Sequence, residues 1–263
     1  MARKIVVTSG KGGVGKTTIV ANLGLQLANL GQRVVLIDVD IGLNNLDIAS
    51  GIEERVVYDI VDIAEQKCRV KQAILQDENS YNLFYLPTAH IYNSGKISTK
   101  DIAKIISQLE VDFDYIIIDC PAGIDAGFYR AIYVASEAIL VTTPHITSIR
   151  DADKVASILI SQGITSFGLV VNRIRGDLVS KGRMLSAETI AECLNTKLVG
   201  VIPESDELSS QASINGKVFD VSKELNFAFY TLAQNIISGK IEIYNYLGKR
   251  KSKLEFFRRK EKC

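Results

Sequence analysis

Cysteine is scarce and scattered. The four cysteines, Cys68, Cys120, Cys193 and Cys263, stand far apart with no C-x-x-C pair. That spacing argues against a disulfide framework or a zinc ribbon, and suits free thiols in a reducing cytosol. Proline is equally rare. Pro87, Pro121, Pro144 and Pro203 each come a residue or two after a run that reads as a strand. No apolar run approaches the roughly 18 residues needed to span a bilayer. The first residues lead almost at once into a strand pattern, so the expectation is a body without a signal or transit peptide. There is no internal repeat and no low-complexity linker. Net charge is nearly absent too, at +1, which by itself argues for no polyanionic partner.

Its distribution says more. From Lys249 to the end there are eight Lys/Arg and two Asp/Glu, giving +6, while the remaining 23 basic and 28 acidic residues give −5. A mildly acidic body with a basic tail points to an anionic surface met by the tail.

What is present in quantity is apolar sequence, 47% of 263 residues, enough to bury one substantial core. Short β-branched runs alternate with amphipathic stretches, the pattern of βαβ units and a parallel sheet. The strands expected are Lys4–Thr8, Arg33–Asp38, Leu83–Leu86, Tyr115–Asp119, Ala138–Thr142, Gly168–Asn172 and Leu198–Ile202. Several are continuously apolar, as when helices cover both sheet faces. The clearest helix starts at Lys16, carries Val20, Leu23, Leu27 and Leu30 on one face, and stops at Gly31. Others are expected over Lys100–Leu109, Ala126–Ala135, Ser148–Ser161, Ala187–Leu194 and Lys223–Ile237. The fold expected is a single α/β domain with a mostly parallel twisted sheet and helices on both faces, over residues 1–240. Residues 241–263 read as a linker and a basic amphipathic tail.

Gly10, Lys11, Gly12, Gly13, Val14, Gly15, Lys16 and Thr17 match G-x-x-x-x-G-K-[ST] between a strand and a helix, the context this motif requires. Glycines let backbone N–H groups turn around phosphate oxygens, and the helix N-terminus adds its positive end. Lys16 is then placed for the β- and γ-phosphates, Thr17 for Mg²⁺ and Thr18 for the α-phosphate. Asp38, Asp40 and Asp119 end strands at the same sheet edge. Carboxylates arriving there suit Mg²⁺, which takes oxygen ligands and keeps several waters. Asp119 is the Walker B candidate.

The full string KGGVGKTT resembles the deviant Walker A motif of the MinD/ParA/nitrogenase iron-protein superfamily. Three further stretches resemble the MinD family: DVDIGLNNLDIASG after the second strand, TSIRDADKV (Thr147–Val155), and MLSAETIAECLNTKLVGVIPES (Met184–Ser205). The resemblance implies that Lys11 crosses a dimer interface to the partner's phosphates, making ATP the glue of a homodimer. It implies that Asp38 lies near Mg²⁺, that Asp40 positions the attacking water, and that Asn172 holds the adenine ring. Pro121–Gly123 resembles the segment that senses the γ-phosphate. Asp151 and Asp153 fall where the family meets a MinC-like inhibitor and a MinE-like activator. Asn44 stands where the family often has Arg, a departure that bears on partner or dimer contacts.

The tail KRKSKLEFFRRKEKC places Leu254, Phe256 and Phe257 within an arc of about 160° on a helix, flanked by basic residues. On composition alone a solvated tail fits as well as an interfacial helix. The resemblance implies the second, a C-terminal amphipathic helix at the cytoplasmic face of the cell membrane, or the equivalent plastid surface. Burial of one Leu and two Phe yields roughly 5–9 kcal/mol, while ordering about fifteen residues costs on the order of 1 kcal/mol each. One tail is therefore marginal, and two on an ATP-bound dimer gain ~100-fold or more in avidity. A ParA-like DNA-partition ATPase is the rival reading, but it calls for a basic face on a body that is acidic here. No specific nucleic acid is expected as a partner. An iron–sulfur role would need a second cysteine to match Cys120.

Overall fold

Arg3–Thr8 (β1) shows on a small scale how the chain builds its layers. Ile5 and Val7 join one core cluster and Val6 the other, and all three are buried. Successive strand side chains point to opposite faces, so an unbroken apolar run demands cover on both. Val34–Asp38 (β2) and Tyr115–Asp119 (β5) divide in the same way. Val35, Ile37, Ile116 and Ile118 lie on one face, and Val34, Leu36 and Ile117 on the other.

The structure is a computed structural model that describes residues 1–40, 45–88, 97–206, 208, 219 and 221–247. Besides β1, β2 and β5, the strands are Leu75–Gln76 (β3), Leu83–Leu86 (β4), Glu137–Thr142 (β6), Phe167–Ile174 (β7) and Leu198–Pro203 (β8). They form one sheet in the order β3-β4-β2-β5-β1-β6-β7-β8. Every pairing is parallel except β3 with β4. Crossovers leave β1 toward β2 on one side, and the chain later returns to build β6, β7 and β8 on the other. β1 thus sits at the switch point where open α/β sheets hold ligands at their carboxyl edge.

The helices are Lys16–Asn29 (α1), Asn45–Ser50 (α2), Ile60–Ala64 (α3), Val70–Ala73 (α4), Thr99–Leu109 (α5), Ala126–Val134 (α6), Ile146–Ser161 (α7), Gly176–Val179 (α8), Ala187–Cys193 (α9) and Lys223–Ser238 (α10). α1 and α10 cover one face; α5, α6 and α7 cover the other. Among the described residues no helix is long and apolar enough to cross a membrane.

Each expected strand and long helix is present with ends moved by a residue or two. β7 alone gains more, running on to Ile174 through a register shift against β8. Periodicity predicts no element from 45 to 76, where three short α-helices, a 3-10 turn (Glu53–Arg55) and a two-residue edge strand carry too few turns for a pattern to register.

The body also continues past residue 240. Buried Asn235 donates from Nδ2 to the carbonyls of Val199 (2.9 Å) and Glu242 (2.7 Å), and its Oδ1 accepts from the Glu242 N–H (2.9 Å). The Tyr244 hydroxyl donates to Glu224, and the Tyr246 hydroxyl to Glu188. Residues 241–247, expected as linker, are therefore a strap docked on α10 and α9. The expected membrane residues Leu254, Phe256 and Phe257 lie outside the described residues, as does Asn44.

Candidate active site

A cleft of about 440 Å³ opens at the carboxyl edge beside β1, lined by residues of the glycine-rich loop together with Asp40, Ile48, Asp119, Cys120, Ala122 and Arg173. Local sequence explains its floor. Most long helices here are capped by a side chain: Ser98 on α5, Asp125 on α6, Ser186 on α9 and Ser222 on α10. α1 is not. Its N-cap is Gly15, at φ 94°, which contributes no side chain. The first N–H groups of α1 are thus left to an incoming anion.

Gly15 also has no room for a Cβ, which would lie 2.5 Å from Asn172 Nδ2. At the other end of the loop, a Cβ on Gly10 would lie 2.3 Å from the carbonyl of Asp151 on α7. Glycine is required at Gly10 by close approach, and at Gly15 by close approach and backbone conformation together.

Lys16 is 9% exposed and its Nζ donates to Ser9 Oγ at 3.1 Å, while Ser9 Oγ donates to the Lys11 carbonyl at 2.8 Å. Ser9 thus steadies both lysines, although it lies outside the motif's named positions. Lys11, Gly12 and Gly13 are exposed at the rim, and Thr17 and Thr18 are half-buried inside. Thr17 Oγ1 donates to Asp119 Oδ2 at 2.6 Å.

The carboxylates divide by role. Asp38 is fully buried, and its two oxygens accept from the N–H groups of Asp40 (2.8 Å) and Leu46 (3.2 Å). It holds the start of the segment that carries Asp40. Burial, and then the neighbouring Asp119, raise its carboxyl well above the usual range. Burial also raises Asp40, with Lys16 opposing. Asp119 is pushed up to about 6 by burial, against the Thr17 hydrogen bond and the Lys16 charge. Its Oδ1 is buried without a hydrogen-bond partner among the described residues. A buried carboxylate oxygen with nothing to satisfy it, beside a hydroxyl already turned inward, is a fitting seat for a hard cation. Cys120 forms a wall beside it, and burial pushes its thiol up to about 12.

Asn172 is buried rather than open to the cleft. Its Nδ2 donates to the Val14 carbonyl at 2.8 Å, and its Oδ1 accepts from the Arg173 N–H at 2.9 Å. Its neighbour Arg173, for which no motif in the sequence gives a signal, lines the cleft. Asp151 and Asp153 lie on α7, the first half-buried and paired with Lys154 at 3.2 Å, the second exposed.

The model of the ParA family, described as NUBPL iron-transfer P-loop NTPase, matches residues 1–237. The septum site-determining protein MinD of Synechocystis is 40% identical over 263 residues, covering 99% of this chain and 98% of the relative. The chain belongs to the MinD family. Among solved structures, that of the MinC:MinD cell division protein complex of Aquifex aeolicus superposes with a TM-score of 0.85 at 38% identity, over 93% of this chain and 99% of that one. MinD of Pyrococcus horikoshii, solved as a complex with Mg-ADP, gives 0.80 at 29% identity, over 91% of this chain and 98% of that one. The cleft therefore holds the glycine-rich loop of a MinD-family P-loop NTPase, and its residues suit a nucleotide with Mg²⁺.

Proposed function

We propose that the chain is a Mg-ATP-dependent ATPase of division-site placement. It acts as an ATP-bound homodimer on an anionic membrane surface, recruits a MinC-like inhibitor, and leaves after a MinE-like partner stimulates hydrolysis. The observation that carries the reading is the convergence of Lys16, Thr17, Asp40 and Asp119 in one cleft at the uncapped start of α1.

Hydrolysis breaks the bond between the γ-phosphorus and its bridging oxygen, with water as nucleophile. Lys16 holds the β- and γ-phosphates, and the N–H groups of the loop and of α1 neutralise charge in fixed positions. Asp40, set by the amide grip of Asp38, orients the water. Thr17 and Asp119, with Asp38 behind them, are the groups to hold Mg²⁺, which when bound neutralises the β- and γ-phosphate charge. Lys11, exposed at the rim, reaches a second protomer's phosphates and supplies charge in trans.

A partner seated at Asp151 and Asp153 presses on a helix whose backbone touches Gly10. That contact supports coupling between partner binding and turnover. The basic tail, with Leu254, Phe256 and Phe257, supplies the membrane contact, so the dimer works from the cytosol at a membrane face.

Sedimentation with anionic liposomes in ATP, in ADP and without nucleotide tests this. Binding is expected in ATP alone, and deletion of Leu254–Cys263 should remove it while ATPase activity and ATP-driven dimerisation stay. Equal sedimentation in all three conditions, or binding by the truncated chain, would overturn the membrane switch. Retained binding to duplex DNA would favour a partition ATPase.

A further inference from the structure

Two strands begin with an arginine at the amino edge of the sheet, the edge opposite the glycine-rich loop. Arg3 is the first residue of β1, and Arg33 directly precedes β2. Both guanidinium groups lie over aromatic rings, Arg3 at 5.4 Å from the Tyr115 ring centre, Arg33 at 4.9 Å from that of Phe84 and 5.4 Å from that of Phe113. Their hydrogen bonding differs. The Arg3 guanidinium is engaged, donating to both oxygens of Glu137 at 2.8 and 2.6 Å and to the Ile236 carbonyl. Arg33 donates from its backbone N–H to Asp114 at 2.8 Å, but among the described residues its guanidinium makes no hydrogen bond or ion pair.

The backbone there is fastened from two sides. The Arg33 carbonyl accepts from the N–H groups of Asp114 (2.8 Å) and Tyr115 (3.2 Å), and the Val34 N–H donates to the Asn82 carbonyl (2.8 Å). These ties and the two rings hold a fork of unengaged donors at the wall of a groove of about 340 Å³, lined also by Lys71, Ile74, Gln76, Phe84, Asp112 and Phe113. Phe84 and Phe113 meet edge to face, 5.2 Å apart, and give it an apolar floor. Lys71 is paired with Asp112 at 3.4 Å, which leaves Arg33 as the uncompensated charge of the lining. One carboxylate suits that balance, whereas a dense polyanion meets repulsion from Asp112. Each turn beside the groove carries an exposed apolar residue, Tyr81 between β3 and β4 and Val111 between α5 and β5.

We infer that this groove docks an acidic peptide segment of another protein, with one carboxylate on the Arg33 fork and an apolar side chain beside it on Phe84 and Phe113. Guanidinium and carboxylate match in a directional, two-pronged pair, and arginine and tyrosine are residue types on which interface energy concentrates. The docked segment leaves the glycine-rich loop free, because the two sites lie at opposite edges of the sheet.

The test pans a displayed library of random heptapeptides on the immobilised full chain. Counter-selection on Arg33→Ala removes clones held by the basic tail. The enriched consensus, synthesised with blocked ends and a fluorophore, is then titrated into the native chain and its variants. The consensus should place Asp or Glu next to a large apolar residue. Affinity should fall at least about tenfold, roughly 1.4 kcal/mol, in Arg33→Ala and when the peptide carboxylate is replaced by its amide. Arg33→Lys should recover little, since an ammonium has no fork. Lys71 is exposed, so Lys71→Glu reads the groove without disturbing the packing of Arg33, and should weaken binding about fivefold. Tripolyphosphate should not displace the peptide. A library with nothing enriched over the counter-selection, or a consensus without a carboxylate, would overturn the inference. So would unchanged affinity in either Arg33→Ala or Lys71→Glu, and so would displacement by tripolyphosphate, which would make the groove a general anion site.

Discussion

Replacing Asn235 by alanine isolates the strap that carries the chain from the body toward its basic tail. The amide makes three hydrogen bonds, to Val199 O, Glu242 O and Glu242 N, at 2.7–2.9 Å. Each is worth about 1 kcal/mol net, and a buried group left unpaired costs more. The Val199 carbonyl belongs to a buried residue of the edge strand β8, beneath α10, and cannot readily turn to water, whereas Glu242 is exposed and can. The loss should therefore come to about 3 kcal/mol, which for a domain of this size lowers Tm by roughly 6–12 °C. Circular dichroism is the natural probe, because the chain has no tryptophan. Hydrogen exchange should show protection lost first around residues 241–247, where the Tyr244 hydroxyl donates to Glu224 and the Tyr246 hydroxyl donates to Glu188 and accepts from the Ala187 N–H. A stability change below about 1 kcal/mol would refute the reasoning. Uniform loss of protection across the sheet would do so as well.

Four other outcomes are expected. Lys16→Ala should abolish ATP hydrolysis in a phosphate-release assay, since the phosphates lose the one buried lysine among the described residues. Asp40→Ala should bind ATP in a filter assay but not turn it over, leaving the dimer trapped. Lys11→Ala should fold and stay monomeric in ATP by light scattering; a normal dimer would make Lys11 a loop charge. Burial, and then Glu53 and Asp59, push Asp47 up to about 7. A carboxyl whose pKa is higher folded than unfolded binds more protons in the native state, so its penalty grows as pH rises from about 4 to 7. Asp47→Asn should therefore stabilise the chain by about 1–3 kcal/mol at pH 8, with the gain fading toward pH 4 in denaturation curves.

Some of this architecture is written locally. The apolar runs of β1, β2 and β5 announce two-sided burial because strand side chains alternate, and α1 announces itself by its stripe and by Gly31. The glycine-rich loop is legible because its chemistry needs consecutive residues: glycines, a lysine and a hydroxyl at the start of one helix. Asp38, Asp40 and Asp119 are legible as strand ends, which places them at one edge of any parallel sheet. The strap and the short helices between residues 45 and 73 are not, since they have too few turns to repeat a pattern.

What local sequence determined, then, was the sheet, the phosphate loop and the edge at which the carboxylates gather. Tertiary structure decided which contacts each side chain makes there. Asn172 reads as a cleft residue in sequence; in the fold its Nδ2 donates to the Val14 carbonyl, 158 positions away, and Arg173 beside it lines the cleft. Asp38 reads as a metal residue in sequence, and in the fold its oxygens also accept the backbone N–H groups of Asp40 and Leu46. Gly10 must be glycine because α7 passes within contact of it. Each of these outcomes is a competition for one hydrogen-bonding group or one small volume between segments far apart in the chain. Spacing along the chain carries no record of which segment wins.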